Sequence, residues 1–112
     1  MKEITWKDFE QVELRIGTIV DVKDFPEARK PAYKLKINFG KDIGEKRSSA
    51  QIIEHYSKEQ LVGKQILAVV NFPPKQIGPF MSECLVTGLS GTDGKVILIS
   101  PDKWVEDGSK LF

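Results

Sequence analysis

Asn71, Lys75, Gln76 and Ser82 share one stretch, NFPPKQIGPFMSECLVTG from Asn71 to Gly88, with Phe72, Phe80 and Met81. The four polar side chains are of the kind that hydrogen-bond a phosphate or a base edge. The phenylalanines offer flat faces, and Pro73, Pro74 and Pro79 stiffen the backbone that carries them. That mixture is the chemistry of binding. By composition alone it equally suits a surface connection between two strands.

Groups for bond-breaking chemistry are scarce. Cys84 is the single cysteine and His55 the single histidine. Cys84 alternates within a strand-like run, where a lone cysteine behaves as a small buried hydrophobe rather than a thiolate nucleophile. His55 has no carboxylate pattern and no second histidine at metal-ligand spacing nearby, and no glycine-rich phosphate loop is present. The expectation is a protein that is not an enzyme and takes neither metal nor cofactor. One cysteine also rules out an internal disulfide and suits a reducing, cytoplasmic setting. No apolar run reaches the roughly 20 residues of a membrane span, and the amino terminus lacks the apolar segment of a secretory signal, so no membrane insertion is expected.

The elements that must position these groups are mostly strands. Val12, Leu14, Ile16, Thr18, Val20 and Val22 alternate with polar or small residues, and only Ile19 breaks the period of a half-buried strand. Tyr33, Leu35, Ile37 and Phe39 alternate with Lys34 and Lys36, so the two lysines project together from the outer face of a second strand. A third strand over Lys46 to Ile52 directs Arg47, Ser49 and Gln51 to one face and Ser48, Ala50 and Ile52 to the other. Gln65 to Val70 is almost wholly apolar and reads as a central strand, followed by Glu83 to Thr87 and Val96 to Ile99. The Asp-Gly of GTDG, Gly91 to Gly94, favours a tight hairpin between the last two.

Helical signals are short. Thr5 with Asp8, and Ser57 with Gln60, match capping boxes, and Gly63 is a stop after the second. Short strands, a helical turn between the third and fourth, and no repeat predict one all-β domain over residues 1–112. Its architecture is a five-stranded Greek-key barrel of the oligonucleotide-binding (OB-fold) type with short flanking helices.

Charge is distributed unevenly on a chain of net charge +1. Residues 29–47 carry 7 basic and 2 acidic side chains, against 4 and 7 in residues 1–28 and 6 and 7 in residues 48–112. A local excess of this size makes either a positive binding face or a solvated lysine-rich hairpin. In the binding reading, Lys34, Lys36, Arg47 and Lys75 meet phosphates of structured RNA. Asn71, Gln76 and Ser82 fix the register, and Phe80 stacks on an exposed base. A second reading gives Phe72, Phe80 and Met81 to apolar grooves that hold unfolded protein, with basic rims around them. Phe80 and Met81 also fit simple packing at the barrel's end.

Trp6, Phe9, Trp104, Leu111 and Phe112 are large apolar groups outside the strands. They either plug the ends of a monomeric barrel or meet across a homodimer.

NFPPKQIGPFMSECLV resembles the segment of the tRNA-binding domain family that runs Asn, two residues, Pro, a basic residue, then Ser-Glu-Gly-Met. Asn71, Pro74, Lys75, Ser82 and Glu83 fall in the matching places. VELRIGTIVDV, Tyr33 to Gly40 and LISPD resemble other parts of that family, so the likeness covers nearly the whole chain. Cys84 and Leu85 stand in place of the usual Gly and Met, and Lys30-Pro31-Ala32 in place of Asp-Lys-Leu. ARKPAYKLKINFG and RSSAQI are similar to the CsaA subgroup. That resemblance implies a homodimeric barrel acting as a chaperone for exported preproteins, with unfolded preproteins and the export motor ATPase as partners. The alternative it leaves is a structure-specific tRNA-binding protein, or synthetase cofactor, with no chaperone role.

Overall fold

The computed structural model describes every residue from Met1 to Phe112. Its elements run α1 (Trp6–Glu10), β1 (Leu14–Asp24), β2 (Tyr33–Asn38), β3 (Glu45–Ala50), α2 (Lys58–Leu61), β4 (Gln65–Val69), β5 (Lys75–Ile77), β6 (Phe80–Ser82), β7 (Leu85–Val86), β8 (Gly88–Ser90) and β9 (Val96–Leu98). Five of the strands form one antiparallel sheet in the order β3-β2-β1-β4-β7. The sheet curls into the nearly closed Greek-key barrel expected from the sequence. Its two edges meet where the Glu83 N–H donates to the Arg47 carbonyl at 2.7 Å and Ser48 Oγ donates to the Cys84 carbonyl at 3.0 Å.

The core follows from alternation. Tyr33, Leu35, Ile37 and Phe39 point inward from the second strand's run, all five residues of β4 are buried, and Leu61 of α2 caps this interior. Gly17 permits the tight packing of β1, because a Cβ there would sit 2.6 Å from Ile37 Cγ2 and 2.7 Å from Phe39 Cδ1. Both capping boxes are formed as the sequence predicts, Thr5 with Asp8 and Ser57 with Gln60, and Gly63 ends the second helix at φ +90°.

Three expectations need correction. Val20 faces solvent and Ile19 the core, because the register slips between Ile19 and Asp21; this β-bulge is what broke the period at Ile19. The barrel's last strand is only Leu85–Val86; Gly88–Ser90 then leaves the barrel sheet to form a hairpin with Val96–Leu98 around the GTDG turn. Finally, the stretch read as a surface connection between strands contains its own hairpin, with Lys75 opposite Ser82, Gln76 opposite Met81 and Ile77 opposite Phe80, turned at Gly78-Pro79. No helix is long and apolar enough to cross a membrane.

Candidate binding surfaces

The ladder between β2 and β3 puts Lys36 opposite Arg47 and Lys34 opposite Ser49. With the intervening residues of β2 buried, both lysines lie on the outer face, as predicted. Beneath them lies an aromatic pair. Phe25 and Phe80 meet edge to face at 5.4 Å, Lys34 Nζ lies 5.4 Å from the Phe25 ring centre, and the Arg47 guanidinium lies 5.3 Å from that of Phe80. The negative ring faces hold both cations over them and limit the conformations they must give up on binding an anion.

Glu83 fixes the arginine further. Its Oε1 accepts the Arg47 backbone N–H at 2.9 Å and lies 3.5 Å from Nε of the same residue. From Lys34 the strip continues through Ser49, whose N–H reaches Ser82 Oγ at 3.5 Å, to Lys75 opposite Ser82. All four predicted cations therefore lie along β2, β3 and the β5–β6 hairpin.

Several residues expected to touch a ligand also bond within the fold. Asn71 Oδ1 accepts the Glu13 N–H at 3.1 Å and its Nδ2 donates to the Gln11 carbonyl at 2.7 Å, tying the chain after β4 to the entrance of β1. Ser82 Oγ donates to the Cys84 carbonyl at 3.3 Å, and Gln76 Nε2 to the Gly78 carbonyl at 3.2 Å. Phe80 is only 8% exposed, with Phe25 at its edge and Arg47 on its face. Packing, the plainer of its readings, accounts for it, and no free face is left for a base.

Beside this strip lies a groove of about 1220 Å³. Ala50, Ile52, Cys84, Val86 and Leu98 form an apolar floor, Phe72 and Ile77 a wall, and Arg29, Lys30 and Lys75 a basic rim that Glu27 interrupts. Phe72, 55% exposed, is a groove residue as anticipated, whereas Phe80 and Met81 do not line it. Ile77 escaped the sequence reading because the connection after Asn71 was read without the hairpin that brings it to the groove. Lys75 belongs to both surfaces.

The terminal aromatics are not barrel plugs. Trp6 is 80% and Trp104 67% exposed, Leu111 and Phe112 also face solvent, and Phe9 is half-buried. Along the part of β1 that β2 leaves unpaired, Ile16 N–H donates to the Ser109 carbonyl at 2.9 Å and Leu111 N–H to the Leu14 carbonyl at 2.9 Å. Glu13 binds Arg15 at 2.7 Å and Lys110 at 3.0 Å, which ties the entrance of β1 to the carboxyl-terminal segment. At the other end of β4, Gln65 Nε2 donates to the Val105 carbonyl and its Oε1 accepts the Val105 N–H, which anchors the backbone next to Trp104.

Cys84 and His55 lie in different settings. Burial pushes the Cys84 thiol up to about 11, so it stays protonated and unreactive near neutral pH. A thiol reagent at pH 8 should label the folded protein about a hundredfold more slowly than the unfolded chain; equal rates would show an exposed cysteine. His55 does have a carboxylate partner, contrary to expectation: its Nε2 lies 2.9 Å from Asp93 Oδ2 in the β8–β9 turn. The Lys95 backbone N–H, with help from His55, holds the Asp93 carboxyl below its usual range.

A family model described as "Putative tRNA binding domain" matches residues 14–110. The methionine–tRNA ligase of Nanoarchaeum equitans is 36% identical over 109 residues, which is 96% of this chain but 13% of the ligase. Two crystal structures align over nearly their whole length. The CsaA chaperone protein from Picrophilus torridus is 55% identical with a TM-score of 0.91, covering 98% of this chain and 100% of that one. The chaperone CsaA from Bacillus anthracis is 45% identical, also with a TM-score of 0.91, covering 99% and 100%.

Proposed function

The chain belongs to the tRNA-binding domain family, in its CsaA group, and on that premise we propose that it is a non-catalytic, homodimeric chaperone that holds unfolded segments of other proteins. The observation that carries this reading is the groove: an apolar floor and wall beside a basic rim suit a chain that exposes apolar residues among acidic ones. Chains of 55% and 45% identity that bear the name chaperone support it. Preproteins awaiting export from the cytoplasm, and the ATPase that drives export, are the partners this reading implies.

The test is direct. Added in equal amount to a chemically unfolded client on dilution, the protein should suppress light scattering, with a negative heat-capacity change of binding and a shallower dependence on salt than RNA binding shows. Undiminished aggregation at tenfold excess would overturn the reading.

RNA binding is the second reading, favoured by a separate observation. Lys34, Lys36 and Arg47 share one outward face and two of them rest on aromatic rings. Structured RNA, tRNA in particular, meets that face through phosphates. Lys75 lies at its margin, with Ser82 and Gln76 beside it.

The dimer reading rests on the exposed Trp6, Trp104, Leu111 and Phe112, with Phe9 half-buried. Exposed aromatics of this size seek a covering surface. Sedimentation at micromolar concentration should give twice the 12.6 kDa chain mass. Replacing Trp6 and Phe112 by glutamate should shift it to the mass of a single chain, and a wild-type protein that sediments as one chain at every concentration would refute the dimer.

A further inference from the structure

The groove coincides with the place where the barrel fails to close. β3 and the chain through β7 run side by side in the same direction, pinned where Arg47 meets Glu83 and Ser48 meets Cys84. At Arg47 both backbone groups point away from β2, since its N–H goes to Glu83 Oε1 at 2.9 Å and its carbonyl takes the Glu83 N–H at 2.7 Å. An antiparallel ladder alternates, so two residues on, the backbone of Ser49 also points out of the sheet. There it finds little. Its N–H has only the 3.5 Å contact to Ser82 Oγ, and its carbonyl only Ser48 Oγ at 3.4 Å.

The facing strand is similarly unsatisfied. Thr87 N–H donates to the Leu67 carbonyl of β4 at 3.1 Å, so by the same alternation the backbone of Val86 turns from β4 toward the seam. No backbone bond joins Ser49 or Gln51 to Val86. Beyond the pin, the two edges and the floor between them are the groove itself.

We infer that this seam receives its polypeptide as an added β-strand, an extended segment that alternates apolar and acidic residues. This rests on the client-binding reading above and states how the client is held. The segment's backbone pairs with one exposed edge, at Ser49–Gln51 or at Val86. Its apolar side chains fall on Ala50, Ile52 and Leu98, and its acidic ones meet Arg29, Lys30 and Lys75. Backbone pairing supplies affinity without demanding a sequence, while the alternation of pockets and cations selects the pattern. A seam of this kind differs from a greasy patch because it reads the backbone.

The experiment uses the intact protein and a fluorescent heptapeptide alternating valine and glutamate, together with two versions N-methylated at alternate residues in opposite registers. An added strand presents amides to one edge only. One methylated version should therefore bind at least about tenfold more weakly than the parent, while the other stays within about twofold. Equal affinity of all three, or equal loss in both registers, overturns strand addition. Failure of the parent peptide while unfolded client still binds also overturns it and leaves the chaperone reading standing. Failure of peptide and client alike removes both.

Discussion

Replacing Phe72 and Ile77 together by glutamate is expected to abolish suppression of client aggregation while leaving the protein folded. Both residues form the groove's apolar wall, and neither belongs to the buried core that sets stability. Burying side chains of this size contributes about 1.5–3 kcal/mol each. Their loss should weaken client binding at least a hundredfold, even after discounting incomplete burial. The new carboxylates also have Arg29, Lys30 and Lys75 within the same groove, and would occupy the charges meant for the client. Circular dichroism and thermal melting should match the parent within a few degrees, and RNA binding should change little. A double variant that protects clients as well as the parent would place the site elsewhere.

Neutralising Lys34, Lys36 and Arg47 to glutamine is expected to have the opposite selectivity. Each phosphate contact contributes about 0.7–0.9 to the slope of log affinity against log salt. Losing three should flatten that slope by about 2–3 and lower RNA affinity by about 10²–10³ at 0.1 M salt. Glutamine at position 47 keeps the backbone bonds to Glu83 that close the barrel, so stability should hold. Client protection should survive, since none of the three lines the groove. Lys75 cannot separate the two proposed activities in this way: it lies on the groove's rim and at the end of the cationic strip, so its reversal should weaken both. An RNA affinity and salt slope unchanged in the triple variant would move the RNA face off β2 and β3.

What the sequence made legible was whatever depends on near neighbours. The alternation from Tyr33 to Phe39 located two outward lysines, and Ser57 with Gln60 marked a four-residue helix, because strand period and capping are local geometry. Even the single irregularity at Ile19 was the trace of a real bulge. What could not be read was the partner each polar group would find across the fold. Asn71 looked available for RNA until Gln11 and Glu13 came within reach of its amide, and His55 looked unpartnered until the β8–β9 turn delivered Asp93. Phe80 failed as a stacking platform because Phe25 and Arg47 enclose it, contacts that only the closed barrel assembles.

The family motif has a similar explanation in physical terms. Ser82 and Glu83 bond to β3 and its surroundings and fasten the barrel's edges. In the RNA reading proposed above, Glu83 would act indirectly, by orienting Arg47. Cys84 follows as part of the groove floor, and Leu85 is exposed at its margin. The departures from the common motif therefore fall on the surface proposed for polypeptide, beside the cations proposed for RNA.

Amide hydrogen exchange with and without saturating unfolded client addresses the groove most directly. New protection is predicted at Ser49–Ile52, Lys75–Ile77 and Leu85–Val86, with little change along the outer face of β2. Protection confined to that outer face or to the chain termini, or none at all with client bound, would contradict it.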